Sequence, residues 1–171
     1  MALSLYDVSV PVFTRGLGQL GHILEKGLAH AQATGIDPSQ LVNARLAPDM
    51  FTLAGQVQSA SDAAKFGVAR IAGLTAPSFP DDETTYAQLQ ARVAKTLDYL
   101  GTVDRASFDG AEAREVTMKV RGNELKFSTQ SYLLHFALPN FFFHVTTAYD
   151  LLRHNGAPLG KLDFLGRVSE A

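Results

Sequence analysis

Asn140 and His144 stand four residues apart in a stretch, Phe127 to Tyr149, that contains no Asp, Glu, Lys or Arg. On a helix that spacing puts an amide and an imidazole on one face, one turn apart. So placed, they can hold a divalent metal together with a third ligand from another helix, or hydrogen-bond a small molecule in the interior. A purely structural role is the alternative: Pro139 takes an amide hydrogen out of the helix, Asn140 can serve the backbone it leaves open, and His144 can hydrogen-bond within the core. Upstream, Gln58 and Asp62 repeat the four-residue spacing, with Ser59 beside them and Phe51, Gly55, Phe66 and Ala69 on the same face. Turned toward His144, Asp62 is a metal ligand or the group that fixes the imidazole tautomer. Turned away, it is an exposed ion-pair partner for Lys65, three residues on. His135, one turn before Pro139, is either a core histidine held by a hydrogen bond or a further pocket candidate. The candidate set is therefore His144 and Asp62 for catalysis, Asn140, Gln58, Ser59 and His135 for ligand binding, and His144, Asn140 and Asp62 for a metal.

The remaining chemistry-bearing residues have simpler roles. His22 and His30 fall outside the apolar stripe of their helix and belong at a surface or interface, while His154 suits the last turn of a helix, where a partly protonated ring meets the negative end of the dipole. Phe141, Phe142 and Phe143 must cover a large apolar area, in a core or a dimer interface. Gly16, Gly18 and Gly21 match the spacing of a dinucleotide fingerprint, but they lie inside a helical stripe with no strand before them, so the match is spurious. No nucleophile elbow, phosphate loop or paired-histidine zinc motif is present.

The elements that must position these side chains follow from periodicity. Phe13, Leu17, Leu20, Leu24, Leu28 and Ala31 write a first helix ending at Thr34-Gly35, in which some glycines permit close approach of another helix. Asp37-Pro38 opens a short helical turn reaching Leu46. Leu53, Val57, Ala60, Ala64, Val68 and Ile71 mark a second long helix, following Asp49 and closed by Gly73 and Pro77. A loop from Thr75 to Asp82 precedes a capping box at Thr85 and Gln88, and a third helix striped by Tyr86, Leu89, Val93, Leu97 and Leu100. The period then changes to two: Val116, Met118 and Val120, then Leu125 and Phe127, predict a β-hairpin turning at residues 121–124. The last helix runs from about Thr129 to Arg153. The fold class is all-α, a four-helix bundle with a small β-hairpin inserted before the last helix.

Composition narrows the functions. The 171 residues suit one domain, spanning residues 1–171. Fifteen basic against seventeen acidic side chains, for a formal charge of −2, lack the footprint of a nucleic-acid binder. Zero Cys removes disulfides, thiolate metal sites and a cysteine nucleophile. The amino-terminal residues have no secretory pattern, so a cytoplasmic location is expected. The charge-free stretch carries too many polar groups, among them His135, Asn140 and His144, to be a membrane span.

Five segments carry a family resemblance: Ser9 to Phe13, Arg45 to Met50, Gln56 to Asp62 with Ala69-Arg70, Phe108 to Glu112, and Leu138 through Tyr149 to Arg153-His-Asn-Gly156 and on to Gly166. Together they are similar to the bacterial family called domain of unknown function 1993, within the DinB/YfiT-like superfamily of four-helix bundles. The resemblance covers almost the whole chain. It implies a DinB-like bundle and a homodimer. It also points toward small-molecule hydrolases or thiol transferases that use a divalent metal, often zinc or nickel, held by one His of the second helix and an H-x-x-x-H pair near the end of the bundle. In this sequence His144 matches the second His of the pair, Asn140 stands at the first, and the second helix reads Gln58-Ser59-Ala-Ser-Asp62 without a His. The resemblance thus implies a degenerate metal site, in a metal-assisted or general-base enzyme or in a non-catalytic small-molecule-binding or dimeric interaction protein.

Overall fold

In the computed structural model, which describes residues 3–120 and 122–166, four long helices surround a continuous apolar core. They are α1 (Val10–Thr34), α3 (Leu53–Ala72), α4 (Tyr86–Gly101) and α6 (Leu138–His154). Short helices α2 (Pro38–Asn43), α5 (Thr129–Tyr132) and α7 (Lys161–Leu165) flank them. Strands β1 (Glu115–Val120) and β2 (Asn123–Ser128) form the expected antiparallel hairpin, with Glu115 opposite Ser128 and Val120 opposite Asn123. The apolar stripes meet in the middle: Phe13, Leu17, Leu20, Leu24, Leu53, Val57, Leu89 and Phe141 are all fully buried.

Each long helix packs on two neighbours, in the cyclic order α1, α4, α3, α6. Contacts fix the directions. Gly16 faces Phe141 and Gly27 faces Leu152, so α1 and α6 run parallel. Gly21 faces Val93 while Gly27 faces Tyr86, so α4 runs against α1. Gln56 meets His144 and Arg70 meets Tyr132, so α3 runs against α6. The bundle is therefore up, down, down, up, and residues 73–85 must return along α3 before α4 can begin. Gly16 is where the bundle closes most tightly: a Cβ there would run into the Phe141 ring, nearer than any real contact.

Three boundaries depart from the sequence reading. The turn begun by Asp37, whose carboxylate caps Ser39 N at 2.9 Å, stops at Asn43 instead of reaching Leu46, because Ala44 is already extended. The second long helix begins only at Leu53, where Thr52 accepts a hydrogen bond from Gly55 N. The last helix is not one regular rod. Its path is continuous from Thr129 to His154, but residues 133–137 form a wider π-turn, with the Leu138 N–H donating to the Leu133 carbonyl five residues back. Pro139 supplies the reason: its ring crowds the preceding turn and it has no N–H to donate there, so the helix widens before it.

Candidate functional site

A cavity of about 390 Å³, open to solvent, lies between α3 and the π-turn and α6. That size suits a small-molecule ligand. One face of α3 contributes Gly55, Gln58, Ser59, Asp62, Ala63, Phe66 and Arg70, the three- and four-residue spacing of a single helical stripe. Tyr132, Phe136, Ala137, Asn140 and His144 line the opposite wall, with Phe51 and Asp81 at the margin.

His144 is the most constrained of these groups. It is buried, its Nδ1 is 2.8 Å from Gln56 Oε1, and the Phe51 ring stacks over it at 6.4 Å between centroids. The Gln56 amide nitrogen donates to the Phe51 carbonyl at 3.4 Å, which leaves Oε1 to accept, so Nδ1 carries the proton and donates. Nε2 then has a free lone pair, and it has no hydrogen-bond partner among the described residues. Burial holds the pKa of His144 below the usual imidazole value, keeping the ring neutral at physiological pH. Asn140 lines the same cavity, half-buried and without a hydrogen bond to any described residue.

Asp62 has other partners. Its Oδ1 is 2.8 Å from Lys65 Nζ and 2.8 Å from Arg92 Nη2, and both cations are almost completely buried. Lys65 also lies 4.3 Å from the Phe79 ring centroid, and Arg92 binds the Pro80 carbonyl at 2.9 Å, Asp81 at 2.9 Å and Glu83 at 3.1 Å. Gln58 joins the same network by donating to Glu83 at 2.9 Å. Burial disfavours the guanidinium charge, but Glu83, Asp62 and Asp81 outweigh it and hold the Arg92 pKa above its ordinary value. The network ties the returning segment 73–85 to α3 and α4. The ion pair with Lys65 is the alternative the sequence had left open, but not as the exposed pair expected: Lys65 is buried, and the pair is joined by an arginine from α4. The tautomer of His144 is set by Gln56, not by Asp62.

Ser59 lines the cavity without a hydrogen bond to His144. His135 is exposed and lies outside the lining, since it sits on the outer side of the π-turn. His22 is a surface residue 2.9 Å from Asp163, His30 meets the Asn155 carbonyl at 3.2 Å, and His154 is exposed in the last turn of α6. The three phenylalanines divide: Phe141 is core, packed edge-on against Phe13 at 5.1 Å, whereas Phe142 and Phe143 are exposed.

Residues 5–165 match the family described as domain of unknown function (DUF1993). The chain belongs to that family. No curated protein matches it. A crystal structure of a DinB family member protein from Shewanella denitrificans is 41% identical, covers 98% of this chain and 94% of its own, and superposes with a TM-score of 0.89. The DUF1993 chain is thus a DinB-like bundle in fold.

The divalent metal that the resemblance implied does not fit the side chains present. Among the described residues no group of three His, Asp or Glu side chains is placed to hold a metal. His144 Nε2 and the Asn140 amide are available, but the one nearby carboxylate of the expected set already shares an oxygen with two cations behind the cavity wall, and Arg70 places a positive charge on the wall itself. A divalent ion would have to displace those partners against their repulsion.

Gln56 and Arg70 are the site residues that the sequence reading named only within the segments carrying the family resemblance, with no role at the site. Both were detectable: Gln56 is an amide on the apolar stripe, one turn from Leu53 and from Ala60, and Arg70 is one turn beyond Phe66 on the stripe that carries Ser59 and Ala63.

Proposed function

We propose that this DUF1993 protein uses the cavity as a metal-independent small-molecule site in which His144 Nε2 is the proton acceptor, acting as general base in a transfer or hydrolysis reaction. The observation that carries the reading is the Nδ1–Gln56 hydrogen bond, which fixes the tautomer with its lone pair on the free nitrogen. Asn140, one turn away, positions the ligand through its amide, with Ser59 and Gln58 on the facing helix. Asp62 acts indirectly, by holding the wall of the cavity. A second reading, a non-catalytic binding protein, draws on Ser59, which has no hydrogen bond to the base and so is not an activated nucleophile.

The test is turnover of chromogenic nitrophenyl esters, with and without an added small thiol as acceptor, in the presence of a chelator. A general base predicts a rate that rises with pH through the lowered His144 pKa, persists with the chelator, and falls about 100-fold or more in His144→Ala. Loss of activity on chelation would restore the metal reading, and ligand binding without turnover the binding-protein reading. The exposed Phe142, Phe143 and Leu162 support a homodimer, which light scattering would detect as a doubled mass.

A further inference from the structure

Arg70 is the charged group of the cavity that the proposed base chemistry leaves unused. Among the described residues no carboxylate lies within ion-pairing distance of it, unlike Lys65 and Arg92, whose charges Asp62, Asp81 and Glu83 neutralise. Its guanidinium is held in place between two rings, 5.1 Å from the Phe66 centroid and 5.8 Å from that of Tyr132. One nitrogen donates to the Tyr132 hydroxyl at 2.9 Å. The guanidinium's other donors are uncommitted among the described residues. The tyrosine is buried, its pKa is raised by that burial even against the pull of Arg70, and its own proton has no acceptor among the described residues. An oriented cation and an O–H donor thus meet across one end of the cavity, both short of an acceptor.

The placement along the helices matters as much as the charge. Because α3 and α6 are antiparallel, His144 lies beside Gln56 at one end and Tyr132 beside Arg70 at the other. From Gln56 to Arg70 the α3 axis rises about 21 Å. Phe66 and Phe136 line the half of the cavity nearer Arg70, and Asn140, Ser59 and Gln58 the half nearer His144.

We propose that Arg70 and Tyr132 form an anion subsite for the carboxylate of an elongated ligand, whose aromatic or alkyl middle lies against Phe66 and Phe136 and whose protic group reaches His144. This rests on the reading of the cavity as a ligand site. A carboxylate suits the two convergent donors, since it accepts the guanidinium and the phenol at once.

The probes are 4-hydroxyphenyl-alkanoic acids of increasing chain length and their primary amides, titrated into the full chain by calorimetry and two-dimensional NMR. The acid of best length should bind about tenfold or more tighter than its amide. Arg70→Gln and Tyr132→Phe should bring the acid down to the amide's affinity, while His144→Gln weakens acid and amide alike. Tyr132→Phe keeps the ring in the core, and its melting temperature certifies the fold if Arg70→Gln does not express. Equal affinities for acid and amide, with neither variant changing them, would overturn the anion subsite and leave the ligand site standing. Failure of every acid and amide to perturb the cavity resonances would overturn both.

Discussion

Replacing Gln56 by Glu should invert the electrostatics of His144 without changing the shape of the site. In the native protein a neutral amide oxygen 2.8 Å away accepts the Nδ1 proton, and burial alone sets the direction of the pKa, downward. A carboxylate at the same distance adds an attraction for the imidazolium. At about 4 Å between charge centres and an effective dielectric near 20, that attraction is about 4 kcal/mol. Desolvation of the new carboxylate consumes part of it, so the expected rise is about 1–3 pKa units, at about 1.36 kcal/mol each.

The sign of the pH dependence reverses with it. In the native protein the folded pKa lies below the unfolded value of 6.5, so between the two the unfolded chain binds more protons and stability falls as pH drops below 6.5. Where the rise in Gln56→Glu carries the folded pKa above 6.5, the contribution is fully present below 6.5 and is lost as pH rises through the new pKa. Long-range proton–nitrogen NMR of the ring reads both the tautomer and the titration, and urea denaturation across pH reads the slope. The companion Gln56→Leu leaves a buried N–H without an acceptor, costs about 1–3 kcal/mol and frees the ring to change tautomer. A native His144 protonated at Nε2, or one that titrates at or above 6.5, would refute the reasoning, as would an unmoved pKa in Gln56→Glu.

Three further outcomes follow from the packing. Arg92→Met removes the buried cation that gathers Asp62, Asp81 and Glu83, and should cost about 3–5 kcal/mol, seen as a melting temperature lower by about 6–20 °C. Gly16→Ala drives a Cβ into the fully buried Phe141 ring and should destabilise by about 1–3 kcal/mol in urea, whereas Gly18→Ala, with open space around it, should stabilise by up to about 1 kcal/mol. Asp163 caps α7 through Gly160 N and binds Lys26 and His22 of α1, contacts that lower its pKa below 3.8. Its contribution is present above that value and lost as pH falls through the folded pKa, so hydrogen exchange in α7 should accelerate under acid conditions before exchange in α3 does.

The sequence by itself determined the elements, because helix stripes, caps and the two-residue period of the hairpin are local properties. Phe13 to Ala31, Leu53 to Ile71 and the Thr85–Gln88 box needed no partner to be read. The four-residue spacings were also enough to put Asn140 with His144, and Gln58 with Asp62, on common helix faces, and both faces line one cavity. Spacing alone could not say what each side chain finds across the gap. Asp62 had a neighbour at Lys65 in sequence, but the Arg92 that completes its network comes from a different helix, brought there because α3 and α4 run parallel and residues 73–85 must return between them. The same holds for Gln56, one amide on an otherwise apolar stripe until α6 places an imidazole 2.8 Å away. His135 shows the converse: a plausible register in sequence turned outward by a π-turn. Local periodicity fixes which face a residue occupies. The chemistry at that face belongs to the neighbouring helix, and only the direction and packing of the bundle choose that neighbour.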